Sequence, residues 1–325
     1  MIPFERVRRI ALIGGGTIGA SWAAWFLARG YDVALSDPAE DGESRSRAIL
    51  EAAWPAMQRL GLAEGAALTR FSFHSEALAA AEGADFVQEN APERLAIKEP
   101  LLKALDAALP ADRVIASSTS SFMPSLLQAA AQRHPERILV GHPFNPPHLV
   151  PLVEVVGGPG GSTEAVDWAV GFYRRIGKTA IRVEKEISGH IANRLQAALF
   201  REAAYLLQQG VASVEDLDRA VADGPGLRWA MMGPLMTFNL GGGPGGMRHF
   251  LAQFEPTFRD WFEELGQPEL TPALSQALVD GVEAEMAGRS LAELTAWRDE
   301  TFLRLLEAVR PPTDDSATGP GGEKA

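Results

Sequence analysis

Two sets of residues in this sequence have the types and spacing to do chemistry. Gly14-Gly15-Gly16-Thr17-Ile18-Gly19 fits the string G-x-G-x-x-G. In such a string Gly14 permits a tight turn, Gly16 lets the backbone approach a pyrophosphate, and Gly19 lets a helix pack closely on a strand. Thr17 and Ile18 begin the helix whose free N–H groups face the anion. Asp37 follows 18 residues after Gly19, and no Arg or Lys occurs in the seven residues after it. Its carboxylate can accept a hydrogen bond from a ribose hydroxyl and repels a 2′-phosphate. The string therefore reads as a site for NAD rather than NADP.

The second set is His142, in Gly141-His142-Pro143-Phe144-Asn145-Pro146-Pro147, and Glu154 twelve residues on. An imidazole at a strand end and a carboxylate on a neighbouring strand can act as base and orienter, the carboxylate fixing one tautomer and stabilising the imidazolium. Spacing by itself favours the plainer arrangement, a turn-capping histidine and a solvent-facing glutamate. Residues 117–121 (Ser-Ser-Thr-Ser-Ser) offer hydroxyls at another strand end, with no G-x-S-x-G elbow to suggest a serine hydrolase. His148 stands six residues after His142 and the chain has no cysteine, so no metal site is expected. His74, His134, His190 and His249 have no evident partner and read as surface or satisfied core residues.

These residues need elements to hold them. Short apolar runs at 10–13, 33–36, 85–89, 113–116, 138–140, 152–156 and 180–183 read as strands. Helical patterns occupy 17–29, 44–60, 95–108, 124–133 and 163–176, with Pro55 expected to bend or interrupt the second. That alternation implies an α/β, Rossmann-type doubly wound domain with a parallel sheet and helices on both faces, spanning residues 1–186. Strand signals then stop. Residues 187–310 read as an all-α domain, with Ser213 and Asp216 as a capping pair. Residues 311–325, rich in Pro, Gly, Asp and Ser, read as a disordered tail.

Composition narrows the function classes. The 325 residues are 46% hydrophobic and 22% charged, ordinary values for a globular chain. A net charge of −12 argues against nucleic acid as a partner. The absence of cysteine excludes disulfides and thiolate chemistry, and no run approaches the roughly 18 apolar residues of a membrane span. A cytoplasmic protein with a small-molecule substrate is expected.

The glycine loop, Glu93 and Lys98 in QENAPERLAIK, ASSTSSF, GHPFNPPHLVPLVEVV and Asn193-Arg194-Leu195 occur in an order that resembles the L-3-hydroxyacyl-CoA dehydrogenase superfamily over residues 8–309. Within it, GPGLRWAMMGPL from Gly224 and GGMRHFLAQF from Gly245 are similar to the branch of carnitine and L-gulonate dehydrogenases, which includes lambda-crystallin. The resemblance implies that His142 is a general base with Glu154 as its partner, and that Ser120 and Asn193 bond the reacting oxygen. It places Glu93 and Lys98 near the nicotinamide ribose and Asn145 on the cofactor side. The implied reaction interconverts a 3-hydroxy acid and its 3-oxo acid with NAD, L-carnitine being the favoured substrate. A 3-hydroxyacyl-CoA, L-gulonate, a larger secondary-metabolite keto acid and a crystallin-like structural role remain as alternatives.

Arg228 is a candidate anchor for a substrate carboxylate, and Trp229 and Phe250 for a quaternary ammonium. The chain contains only five lysines, which speaks against a clamp for the phosphates of CoA. Two positions depart from the family pattern: His190 follows Ser188-Gly189 where Pro-Gly-Phe is usual, and Ser118 replaces an Asn. The family is commonly dimeric, so the resemblance implies a homodimer, with residues 187–310 serving substrate binding and dimerisation.

Overall fold

The computed structural model describes residues 1–309. The stretch read from sequence as a tail, 311–325, lies outside the described residues. Two compact units are formed, Met1–Leu195 and one beginning at Gln196.

The first unit is built on one eight-stranded sheet in the order β3-β2-β1-β4-β5-β6-β7-β8. Its strands are β1 (Arg9–Ile13), β2 (Asp32–Ser36), β3 (Phe71–His74), β4 (Phe86–Glu89), β5 (Val114–Ser117), β6 (Ile138–Pro143), β7 (Leu152–Val156) and β8 (Thr179–Val183). Between them run α1 (Thr17–Ala28), α2 (Gly42–Leu60), α3 (Ala77–Ala81), α4 (Leu95–Ala108), α5 (Pro124–Gln128) and α6 (Thr163–Arg175). Reversal of strand order at β1 and β4 puts a ligand crevice at the carboxyl ends of those strands.

Burial on both faces explains the apolar strands. On one face α1 packs Trp22 and Phe26 against Phe86, Phe172 and Tyr173, with Phe86 and Phe172 centroids 4.8 Å apart. On the other, Leu102 and Leu105 of α4 join Ile13, Val87, Ile115 and Val140. Each large side chain removed from water in this way stabilises the fold by about 1.5–3 kcal/mol.

The structure departs from the sequence expectations in four places. The sheet is not wholly parallel: β6 and β7 are antiparallel. Residues 144–151 connect them, too few for a crossover, which takes about a dozen or more. The helix expected over 124–133 stops at Gln128. Beyond it, the carboxylate of Asp106 accepts the backbone N–H groups of Gln132 (3.0 Å), Arg133 (2.7 Å) and His134 (3.1 Å), which draws the chain out of helical register. The edge strand β3 and the short helix α3 that follows it were not foreseen. Finally, Pro55 lies within α2 without dividing it.

The first turn of α7 (Ala192–Gln208) belongs to the first unit. The second unit takes the rest of α7, then α8 (Val214–Ala222), α9 (Pro225–Trp229), α10 (Pro234–Gly241), α11 (Gly246–Glu264), α12 (Pro272–Met286) and α13 (Leu291–Val309). It has no strand among the described residues. Ser213 caps α8 as expected, its Oγ accepting the Asp216 N–H at 3.1 Å. Tyr205 packs over Gly266, whose N–H donates to Glu202 Oε2 at 2.8 Å.

Candidate active site

The glycine loop leaves β1 at Gly14, whose φ of +108° lies in a region that favours glycine. A Cβ on Gly19 would sit 1.9 Å from the Gly14 carbonyl oxygen, so only glycine lets α1 begin this close to the loop. Gly16 caps α1, and a Cβ there would meet nothing within 4 Å. It faces open space. Gly14, Gly16, Asp37, Ala39, Arg45 and Asn90 line a cleft of about 780 Å³, large enough for the adenosine half of a dinucleotide. Thr17 is exposed at the helix start and Ile18 is half-buried.

Asp37 is fixed at the end of β2. Its Oδ2 accepts the Gly15 N–H at 2.9 Å and its Oδ1 the Ala39 N–H at 3.0 Å. Sequence reasoning missed a cation here: Arg45, eight residues on, reaches Asp37 Oδ2 at 3.4 Å. Arg45 stands one residue beyond the seven that follow Asp37, in the first turn of α2.

His142 and Glu154 stand directly opposite each other across the β6–β7 pair. His142 Nδ1 lies 2.9 Å from Glu154 Oε2, and Glu154 Oε1 accepts the N–H groups of Ile191 and Ala192, each at 2.9 Å. Burial pushes the Glu154 carboxyl up, but the bonds from His142, Ala192 and Ile191 outweigh it and hold the pKa below its ordinary value. An ionised carboxylate only accepts, so Nδ1 carries a hydrogen, and in the neutral form of the ring the lone pair is on Nε2. The solvent-facing glutamate that spacing alone favoured is not what forms: Glu154 is fully buried.

His190, which the sequence left without a partner, belongs to this cluster. Its ring lies 5.1 Å from that of His142, and its Nε2 is 3.2 Å from the Thr119 carbonyl. It is buried with φ +50°, and burial is the main reason its pKa falls below the usual histidine value. Its departure from the family's Pro-Gly-Phe was the available signal. Phe144, also not singled out, packs edge-on to His142 at 4.8 Å.

Glu93 organises the hydroxyl-rich loop. Its Oε1 accepts Thr119 Oγ1 (2.5 Å), Ser121 Oγ (2.7 Å) and the N–H groups of Ser120 (3.1 Å) and Ser121 (3.0 Å). Burial raises its pKa less than these bonds and Lys98 lower it. Lys98, placed by the resemblance beside the nicotinamide ribose, is buried here on Glu89 at 2.8 and 3.0 Å. Ser120 is exposed next to Thr119, and Asn193 is half-buried in the first turn of α7, one residue past Ala192. Asn145 is exposed beyond His142.

The loop between β6 and β7 is tied to α1. His148 Nδ1 lies 2.7 Å from Ser21 Oγ, and Lys178 Nζ donates to the carbonyls of Pro147 and Val150. The helix that starts at the glycine loop thereby also braces the hairpin carrying His142. In the second unit, Arg228 and Trp229 are exposed on α9, and Phe250 stacks on Phe238 at 4.7 Å. No cluster of metal-ligating side chains occurs among the described residues.

The chain matches the family described as 3-hydroxyacyl-CoA dehydrogenase, NAD binding domain, over residues 9–187, and the C-terminal domain of the same family over 189–285. It is 52% identical to the L-carnitine dehydrogenase of Streptomyces griseus over 305 residues, 94% of this chain and 91% of that one. It is 49% identical to the L-carnitine dehydrogenase of Streptomyces coelicolor over 314 residues, covering 96% and 98%. Among solved structures it is similar to FHMPC 5-dehydrogenase, an NAD+-dependent dismutase, with a TM-score of 0.80, 29% identity and coverage of 93% and 98%. The chain belongs to the 3-hydroxyacyl-CoA dehydrogenase family and is an NAD-dependent dehydrogenase.

Proposed function

We propose that this chain oxidises the 3-hydroxyl of L-carnitine to a ketone, with His142 as general base. The observation that carries the chemistry is the buried His142–Glu154 pair, whose carboxylate is anchored to the start of α7. The names of the relatives at about 50% identity support the substrate. The glycine cradle and the open space at Gly16 fit NAD, which when bound supplies the hydride acceptor.

The rest of the chemistry falls to this chain. His142 Nε2 takes the hydroxyl proton as the hydride leaves the same carbon, and Glu154 stabilises the imidazolium that results. Ser120 and Asn193 hold the oxygen as it gains carbonyl character. Glu93 and Lys98 act through the loop at 119–121 and Asn145 on the cofactor side. Arg228, Trp229 and Phe250 are the second unit's candidates for holding a carboxylate and a quaternary ammonium. Residues 1–186 serve the cofactor and residues 187–310 serve substrate and dimerisation. The protein is taken as a cytoplasmic homodimer, the dimer being supported by exposed apolar side chains of the second unit such as Phe200, Leu235, Phe262 and Trp297.

The test is NADH formation from NAD with L-carnitine, run beside D-carnitine, L-gulonate and 3-hydroxybutyryl-CoA. Turnover of L-carnitine above the others is expected. Turnover of the CoA ester alone would overturn the substrate, and NADH binding without turnover of any of them would overturn catalysis.

A further inference from the structure

Among the described residues lining the adenosine end of the cleft, one positive charge is explained neither by the G-x-G-x-x-G string nor by the proposed mechanism. Arg45 lines the cleft with Asp37 and Ala39. The first turn of α2 is locked there: Ser46 Oγ donates to the carbonyls of Gly15 (2.9 Å) and Gly42 (2.7 Å). The Arg45 side chain is 42% exposed, and its guanidinium bridges two carboxylates, Asp41 at 2.9 Å and Asp37 at 3.4 Å. Its planar fork is the side-chain geometry best suited to a phosphate. Arg47, nearby on the same helix, is spent elsewhere, paired with Glu43 at 2.8 Å and lying over the Phe71 ring.

We propose that Arg45 is a latent receptor for a 2′-phosphate, and that Asp37, helped by Asp41, sets the preference for NAD by occupying this guanidinium. Selectivity then does not come from a lack of positive charge. In this fold the carboxylate after the second strand faces the ribose 2′-hydroxyl. A phosphate at that hydroxyl meets the Asp37 charge first, and Glu76 in the cleft wall adds to the repulsion. Once the Asp37 carboxylate is removed, the group 3.4 Å behind it is a free half of a guanidinium.

The inference rests on the cleft being the adenosine site, so the probes are adenosine 2′,5′-bisphosphate and 5′-AMP, titrated by calorimetry on the full chain. They report binding without any turnover. The natural protein should prefer 5′-AMP. Asp37→Ser should reverse the order, binding the bisphosphate about 10- to 100-fold more tightly than Asp37→Ser/Arg45→Ala, the range of one charge-assisted hydrogen bond. Arg47→Ala in the Asp37→Ser background should change nothing. Asp37 also holds two backbone N–H groups, so Asp37→Asn, which retains one acceptor, is a second route to the same comparison. A gain that survives loss of Arg45 overturns the proposal, as does no gain in either Asp37 variant while 5′-AMP still binds. If the natural protein binds neither probe, the cleft is not the adenosine site and that reading falls as well.

Discussion

Glu154→Gln separates what the carboxylate charge does from what its shape does. Glu154 accepts three hydrogen bonds, two from the start of α7 and one from His142 Nδ1. Glutamine has one acceptor oxygen and one NH2 group. Turning the NH2 toward Ile191 and Ala192 would leave their buried N–H groups unpaired, at about 1–3 kcal/mol each. The oxygen therefore stays with α7 and the NH2 faces the imidazole. Nδ1 must then accept, the hydrogen moves to Nε2, and the base has no lone pair to offer. The imidazolium also loses a countercharge within 4 Å, worth about 4 kcal/mol at an effective dielectric of about 20. That alone is about 10³ in rate, and a carboxylate-to-amide change at the same position in a Ser-His-Asp triad costs about 10⁴. The expected result is a kcat about 10³- to 10⁴-fold lower in steady-state NADH formation, at saturating NAD and L-carnitine. NADH affinity and thermal midpoint should stay near their natural values. A folded Glu154→Gln protein retaining more than about a tenth of the natural kcat would refute the tautomer argument.

Two glycines of the loop should respond differently. Gly19→Ala places a methyl group against the Gly14 carbonyl and is expected to lose stability, by about 1–3 kcal/mol or more in urea unfolding, together with NADH binding. Gly16→Ala has room for its methyl group and should keep its thermal midpoint while weakening NADH in calorimetry. Asp106→Ala removes the partner of the buried Arg137 and strips three N–H groups of their acceptor, so urea unfolding should report a loss of about 3–5 kcal/mol. Glu93, Asp106 and Glu154 all have folded pKa values below their ordinary ones, burial opposing the shift and hydrogen bonds producing it. Their stabilisation is complete above the ordinary values of 4.5, 3.8 and 4.5 and is lost as the pH falls through the lower folded values. Urea midpoints should therefore drop between about pH 5 and about pH 3.5, beyond the earlier decline that the lowered His190 pKa brings below its ordinary 6.5; equal midpoints at about pH 5 and about pH 3.5 would contradict the carboxylate shifts.

The parts of the molecule legible in the sequence are those fixed by local pattern. The loop at 14–19 follows an apolar run and opens a helix, so cradle and cofactor could be read together. The bounds of α4 and β7 coincide with their apolar periodicity. The fate of residues 129–133 depended on Asp106, a side chain more than twenty residues earlier, and no local pattern carries that. β3 has a single buried residue, Phe71, too little for an apolar run to announce it. The antiparallel turn at 144–151 was readable from its length. At the site, the resemblance brought His142 and Glu154 together where spacing did not. His190 was marked by its departure from Pro-Gly-Phe, but its place beside His142 and the Thr119 carbonyl goes with a positive φ that no local pattern announced. Lys98 could be given no inward direction until Glu89 was seen beside it.

The central claim is that His142 removes the hydroxyl proton of L-carnitine during oxidation by NAD. The most direct measurement is NADH absorbance after mixing enzyme with NAD and L-carnitine, comparing the natural protein with His142→Ala after each has been shown to bind NADH. The natural protein should form NADH steadily, and the variant should lose that activity with NADH binding intact. A His142→Ala protein that still forms NADH at the natural rate would contradict it.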